Sequence, residues 1–464
     1  MRGRTTFASC ALLGVVVAVV GVGGLPLIGG AATDQLGVAV AAEGAPVAGT
    51  SVGGAFVATL DGGVPPAVTE VLANDTDVVL FPNGRRPAPR PPVTVLTRVR
   101  AKPDAIGAVL LDPARYHAAL PPLLRADVVG TRPGPAPGPA DAAYGPERLL
   151  DWELEFPFFN LKGRAWLSRR AETIELSLIE GAFAPGRLSV RLAPAAGDGP
   201  ATVMTSTVQI EPRSANWIIR RIVAHDPWAE TAMTAAAALV LTRAVALLAE
   251  SAGGPPARPK GPMTPPSVGK LDGGALAGVA AVLGRGAGAI AIVRRAPSGR
   301  LAWVSTAVPL AGAPAVLAPR LAAPETWRAF PGWKSVTRVP AAPGSPAPPA
   351  GQIDFEVSDD VAFVDLDAIW RVPAGLPGRA HAVEGTIAGA VLAWQALPGA
   401  TPDATTAVLS LYPRLDLAGF IEKRMVAAEP LLEHAFAVAL GYADAIAVAA
   451  ALDSERAARA LPRP

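Results

Sequence analysis

Leu150-Asp151-Trp152-Glu153-Leu154 (LDWEL) returns later in the chain as Ile353-Asp354-Phe355-Glu356-Val357 (IDFEV). In both copies apolar and acidic residues alternate, as in an antiparallel strand with one buried and one solvated face. Trp152 and Phe355 then point to an apolar interior. Asp151, Glu153 and Glu155, with Asp354 and Glu356, point to water. Further echoes flank this strand in the same order. Val71-Leu72 recurs as Val282-Leu283, and Leu120-Pro121 as Phe330-Pro331. Ile210-Glu211-Pro212-Arg213 recurs as Leu411-Tyr412-Pro413-Arg414, and Trp217 to Ile222 as Phe420 to Met425. A period of about 200 residues means tandem domains and not a solenoid.

What recurs is the hydrophobic pattern. His117, His225, His381 and His434 occupy unmatched positions, and the single Cys10 lies near the N-terminus. No metal site and no cofactor are expected from so few ligands. This pattern favours a container over a catalyst.

The 464 residues accommodate two domains with ample cores. A net charge of +2 without a basic run gives no pull towards nucleic acid. Abundant Ala, Gly and Pro, with arginine well above lysine, read as a GC-rich bacterial coding sequence. Arg2 and Arg4 precede an uncharged stretch that lasts until Asp34, and small-residue cleavage candidates follow. Residues 1–42 therefore read as a signal peptide, or as a membrane anchor if they stay attached. Either way the body is exported, to the periplasm, the cell envelope or the medium.

Residues 67–251 form the first repeat, 252–272 a Pro-rich linker, and 273–452 the second repeat. Each repeat reads as α+β. Pro92 to Val99 is an opening strand, and Lys102 to Leu120 is one or two helices, with a start at Asp112-Pro113. Four or five strands follow, among them Leu150 to Phe156, Arg187 to Leu192 and Thr202 to Ile210. In the second repeat Ile353 to Val357, Asp367 to Val372, Ala382 to Ala388 and Ala407 to Leu411 read the same way. A long Ala-, Leu- and Val-rich helix closes each repeat, after Asp226-Pro227 and Glu429-Pro430. Thr231, Thr234, Thr242 and Arg243 favour burial against a curved sheet over a transmembrane span.

This order of elements resembles the START-like superfamily, which includes polyketide cyclase/dehydrase-type and lipid-transport-type domains. The resemblance rests on Asp112-Pro113-Ala114-Arg115-Tyr116 leading to Leu120-Pro121, and on the terminal helix after Pro227. Ala323-Pro324-Glu325-Thr326-Trp327, Phe330-Pro331 and Pro430 are the counterparts. It implies two tandem helix-grip domains, each an antiparallel sheet wrapped around a long C-terminal helix with an apolar cavity between them. Fold alone does not choose function in such a group.

Pockets are lined mostly by apolar and aromatic groups. The candidate ligand-binding residues are therefore Trp152, Leu154, Phe156 and Trp166 in the first repeat, and Phe355, Val357 and Trp370 in the second. No catalytic residue stands out. Arg213, Arg414 and the Arg220-Arg221 pair, echoed by Lys423-Arg424, either meet an anionic headgroup at a cavity mouth or flank a turn. The leading expectation is an exported, non-enzymatic protein that binds or transports a hydrophobic, lipid-like small molecule. The alternatives are a cyclase- or lyase-like enzyme active in one repeat, with His117, His225 or Tyr116 as acid or base, and an envelope scaffold without a small ligand.

Overall fold

The computed structural model describes residues 64–460 apart from connecting stretches, the longest being 82–89, 135–144, 260–272, 340–348 and 416–425. Residues 1–42, read above as a signal peptide or anchor, most of the linker, Asp226-Pro227 and Phe156 lie outside the described residues.

Helix α1 (Pro66–Leu72) and strand β1 (Thr76–Phe81) come first, so Pro92 to Val99 is not the opening strand. The reason is visible in TDVVLF. Every residue of β1 is buried, so the strand lacks the alternation that marks a half-exposed one. Then follow β2 (Val93–Val99), α2 (Pro103–Leu110), a 3-10 turn (Pro113–Arg115) and α3 (Tyr116–Ala119). Six strands come next: β3 (Leu123–Arg132), β4 (Glu147–Glu155), β5 (Asn160–Arg170), β6 (Thr173–Gly181), β7 (Phe183–Pro194) and β8 (Thr202–Glu211). Helices α4 (Trp217–His225) and α5 (Ala229–Glu250) close this half.

The second half repeats the plan with α6 (Gly273–Leu283), β9 (Ala289–Arg295), β10 (Leu301–Ala311), α7 (Pro314–Ala322) and α8 (Pro324–Trp327). It continues with β11 (Trp333–Arg338), β12 (Ile353–Val361), the two-residue β13 (Val364–Asp365), β14 (Ala368–Val372) and β15 (Arg379–Gly385). Strands β16 (Val391–Pro398) and β17 (Ala404–Tyr412) lead to helix α9 (Leu431–Ala460).

Within the first half the ladder runs β1-β2-β8-β7-β6-β5-β4-β3, all antiparallel. Within the second it runs β9-β10-β17-β16-β15-β14-β12-β11, with β13 as a small hairpin partner of β12. The two ladders are one topology. They are also one sheet, because β1 pairs antiparallel with β9 from Thr76↔Arg294 to Phe81↔Ala289.

The long helices lie on one face of this sheet and pack against each other, α5 over β2 and β8, α9 over β10 and β17. Helices α1 and α6 cover the centre of the opposite face through Val68, Val71, Val279 and Val282. Helix α5 suits its place. Alanine is the best helix former, and small side chains allow close approach. Thr234 and Thr242 donate to the carbonyls of Glu230 and Ala238 at 2.8 and 2.6 Å, which satisfies both hydroxyls in a buried helix. Both long helices have the length and mean hydropathy (1.9) of a bilayer span, yet 78% of each apolar window is buried inside the protein. They are core helices here.

A charged cluster sits where the halves join. Asp77 on β1 meets Arg295 on β9 at 2.6 Å and Arg243 on α5 at 3.8 Å. Thr97 donates to Asp77 Oδ1 at 2.5 Å. Burial pushes the Asp77 carboxyl up, but the two guanidinium groups outweigh it and hold the group below the usual carboxylate range. Close by, Arg300 bonds Glu433 on α9 through its Nε and Nη2 at 2.7–2.9 Å.

His434, one residue on, is fully buried, and neither ring nitrogen has a partner among the described residues. Burial lowers its pKa to about 3. Asp77 opposes that shift, while Arg295, Arg243 and Arg300 add to it. The folded protein keeps this ring neutral where the unfolded chain would bind a proton, so stability falls as pH drops below 6.5 and levels off near 3. The expected slope is about 1.4 kcal/mol per pH unit from this group. Urea titrations between pH 7 and 4 should show a flatter profile for His434→Leu than for the parent. Parallel profiles would mean that the ring is not the cause.

Candidate functional site

An apolar cavity of about 200 Å³ lies in the first half, between the sheet and α5. Helix α5 presents Val240, Leu241 and Leu248 to it, and the facing strands contribute Leu150, Trp152, Leu154, Leu176 and Leu188. Tyr116 and Leu120 of the helical pair close one side. The alternation read from LDWEL places these groups. Trp152 is 8% exposed and inward. Asp151 and Glu153 are on the other face, where Arg125 reaches them at 3.2 and 3.7 Å and Lys162 reaches Glu153 at 3.2 Å.

The cavity wall carries little polarity. Tyr116 donates its hydroxyl proton to the Leu110 carbonyl, and burial, with Asp112, raises its pKa well above the ordinary phenol value. The head of Arg187 turns outward to Glu175 Oε2 at 2.6 Å. Trp152 Nε1 is a buried donor with no hydrogen-bond partner among the described residues. His117 bonds the Leu123 carbonyl through Nδ1 at 2.8 Å and does not line the cavity.

The cavity reaches one rim of the sheet, where Leu123 opens β3, Phe183 opens β7, and Leu154 and Ile210 stand one residue from the ends of β4 and β8. The β6–β7 turn is drawn tightly onto β5 there. Gly181 has φ +83°, and a Cβ on it would lie 2.2 Å from the Lys162 carbonyl oxygen. Phe183 follows with φ +66°, a conformation that costs an aromatic residue energy. Its ring nonetheless lines the cavity.

In the second half the counterpart aromatic residues are buried and touch one another. Phe355 and Val357 are 0% and 2% exposed. Trp152 faces Gly163 across its ladder, whereas Phe355 faces Trp370. Trp327 packs on Phe355 with ring centroids 5.5 Å apart, and Phe330 lies 6.4 Å from Trp394. The local architecture is conserved between halves: Trp327 Nε1 donates to the Leu321 carbonyl at 2.8 Å, six residues upstream, as Tyr116 does to Leu110. Tyr is exchanged for Trp, Leu120 for Phe330, and a glycine across the ladder for Trp370.

The candidate residues therefore separate. Trp152 and Leu154 line the cavity. Phe355, Val357 and Trp370 are buried in the hydrophobic core of the second half, and Phe156 is outside the described residues. Trp166 is not a cavity residue. On β5 it alternates with inward Ala165 and Leu167, and its ring carries the Arg132 guanidinium at 3.9 Å on the outer face. Aromatic density singled it out in the sequence, but strand parity excludes it. Phe183 and Ile210 were missed: Phe183 stands in no alternating pattern, and Ile210, in the alternating Val208-Gln209-Ile210-Glu211, lies outside the aromatic-rich stretches from which candidates were drawn.

No family model matches the chain, and no curated protein matches it. Solved structures similar to it include the Zhui aromatase/cyclase from Streptomyces sp. R1128, with TM-score 0.25, 16% identity, 35% of this chain and 98% of that one covered. A START superfamily protein from Mycobacterium smegmatis gives TM-score 0.25 and 14% identity over 35% of this chain and 98% of that one. The di-domain aromatase/cyclase StfQ of the steffimycin biosynthetic pathway gives TM-score 0.23 and 12% identity over 79% of this chain and 99% of that one. These similar structures are START superfamily proteins and aromatase/cyclases, one of them with two domains, while the strand order and the cavity stand on the geometry of this chain alone.

Proposed function

We propose that this is an exported, non-enzymatic protein that holds one hydrophobic small molecule in the cavity of its first half. Its two halves are read as helix-grip domains spanning 67–251 and 273–452. The observation that carries the reading is the cavity around Trp152, walled by apolar side chains of the sheet and α5. An apolar cavity near 150 Å³ stays dry and admits a guest of about benzene size. The larger volume here suits a ring or a short acyl chain. The unpartnered Trp152 N–H favours a guest with one hydrogen-bond acceptor. The titratable groups on the wall among the described residues do not suit acid-base work, since Tyr116 holds its proton and Arg187 turns away.

Extraction and mass spectrometry of purified protein, followed by displacement of an apolar fluorescent probe, test this. The expected result is about one guest per chain and loss of probe binding in Leu241→Trp, which fills the cavity. Probe binding that survives Leu241→Trp would place the site elsewhere.

A further inference from the structure

The joined sheet ends in two edge strands. Among the described residues β3 pairs only with β4, and β11 only with β12. A free edge presents unpaired N–H and C=O groups to any other strand, and proteins ordinarily blunt it with shortness, charge or proline. Strand β11 follows that rule. It has six residues, Lys334 and Arg338 among them, and Pro340 comes soon after it. Strand β3 does not. It is ten residues long, and Leu124, Val128 and Val129 are 48%, 47% and 53% exposed. No other strand among the described residues has more than one large apolar side chain so exposed. The helical pair reaches this edge at Leu123, whose carbonyl bonds His117 Nδ1. From Leu124 to Arg132 every residue is exposed except the half-buried Ala126 and Gly130.

The sequence of this edge complements itself. Strand β3 keeps regular register with β4 from Arg125 to Val128, between irregularities at Leu123/Arg125 and Val128/Gly130. Arg125 and Asp127 lie opposite Glu153 and Asp151, on the outer face, and are 41% and 64% exposed. The Arg125 head reaches Asp151 and Glu153, whereas its contact with Asp127 is loose, at 3.9 Å. A second copy of the strand, antiparallel with Ala126 opposite Ala126, sets each Arg125 opposite an Asp127 and each Leu124 opposite a Val128. Opposite charges and apolar groups are the favourable partners across an antiparallel pair. A register with Val128 opposite Val129 sets Arg125 against Arg132, a like-charge pair. A strand of unrelated sequence accounts for the apolar groups, but not for a charge pattern that is its own complement.

We infer that two copies of this chain associate through β3, antiparallel and centred on Ala126, so that the sheet runs on from one chain into the next. A contact through one strand of each copy belongs with small, transient interfaces, so the association is weak and depends on concentration. It stands apart from the ligand-binding reading.

The test is sedimentation velocity of the full chain over a concentration series, with hydrogen exchange at both ends of the series. The parent is expected to sediment faster as concentration rises, with slowed exchange in peptides covering 123–132. Asp127→Arg and Arg125→Asp each set like charges opposite each other twice, so each variant alone should lose the shift. Mixed in equal amounts the two variants restore both opposite-charge pairs, and the shift should return. That recovery excludes misfolding as the cause of either loss. A parent that stays monomeric throughout would overturn the inference, as would association that both variants leave intact. Slowed exchange of 123–132 in a monomeric parent would assign the edge to a segment of the same chain. Loss in both variants without recovery in the mixture would rule out the pairing centred on Ala126.

Discussion

Phe355→Ala is expected to cost about 3–5 kcal/mol of stability, while Trp152→Ala costs clearly less and alters probe binding. Truncating a buried aromatic group removes its transfer energy and leaves a void that its neighbours fill only partly. Phe355 is fully buried, with Trp327 on one side and Trp370 opposite on the ladder. Such packed neighbours relax little, so the void persists. Trp152 already borders open space of about 200 Å³, and fewer of its contacts are lost. Urea denaturation with unchanged m-values measures both losses. Equal losses would show that the Trp152 site is packed core and that the hollow reading is wrong.

Asp77→Asn is expected to cost about 3–5 kcal/mol, because it removes the one buried carboxylate facing two buried guanidinium groups, and Arg295 keeps only the exposed Asp75 at 3.8 Å. Arg243 and Arg295 are 7% and 9% exposed, so water cannot replace Asp77. Asp354→Asn is the control. Its Arg371 partner is bound through two hydrogen bonds of 2.8 Å, but that arginine is 39% exposed. Exposed pairs contribute at most about 1 kcal/mol. The pH dependence has a definite sign. The folded-state pKa of Asp77 is lowered, so its contribution is complete above its ordinary value near 3.8 and disappears as pH falls through the folded value. A loss at Asp77 no larger than at Asp354 would show that the joint between the halves does not depend on this cluster.

The strands with one wet face were legible in the sequence. LDWEL announced both its direction and its partner copy, because alternation reports a difference between two faces. Strand β1 and helices α1 and α6 were not legible as a sheet joint. TDVVLF is buried on both faces, and periodicity says nothing where there is no contrast. Trp152 and Leu154 could be placed on the cavity wall for the same reason that Trp166 could be excluded by parity. Phe355 and Trp370 show the limit of such reasoning. Their inward direction was readable, but whether inward means guest or neighbour depends on the volume of residues far apart in sequence, Trp327 and Trp394 among them.

The β1–β9 ladder relates the halves as a two-fold axis relates the subunits of an isologous dimer. In a true dimer one gene writes both pockets, and any substitution that plugs one plugs the other. Here the axis survives while the two pockets are spelled separately. The side with Trp370, Trp394 and Phe330 is free to change without closing the side around Trp152. Asymmetry of this kind is open to a single chain and closed to a pair of identical ones.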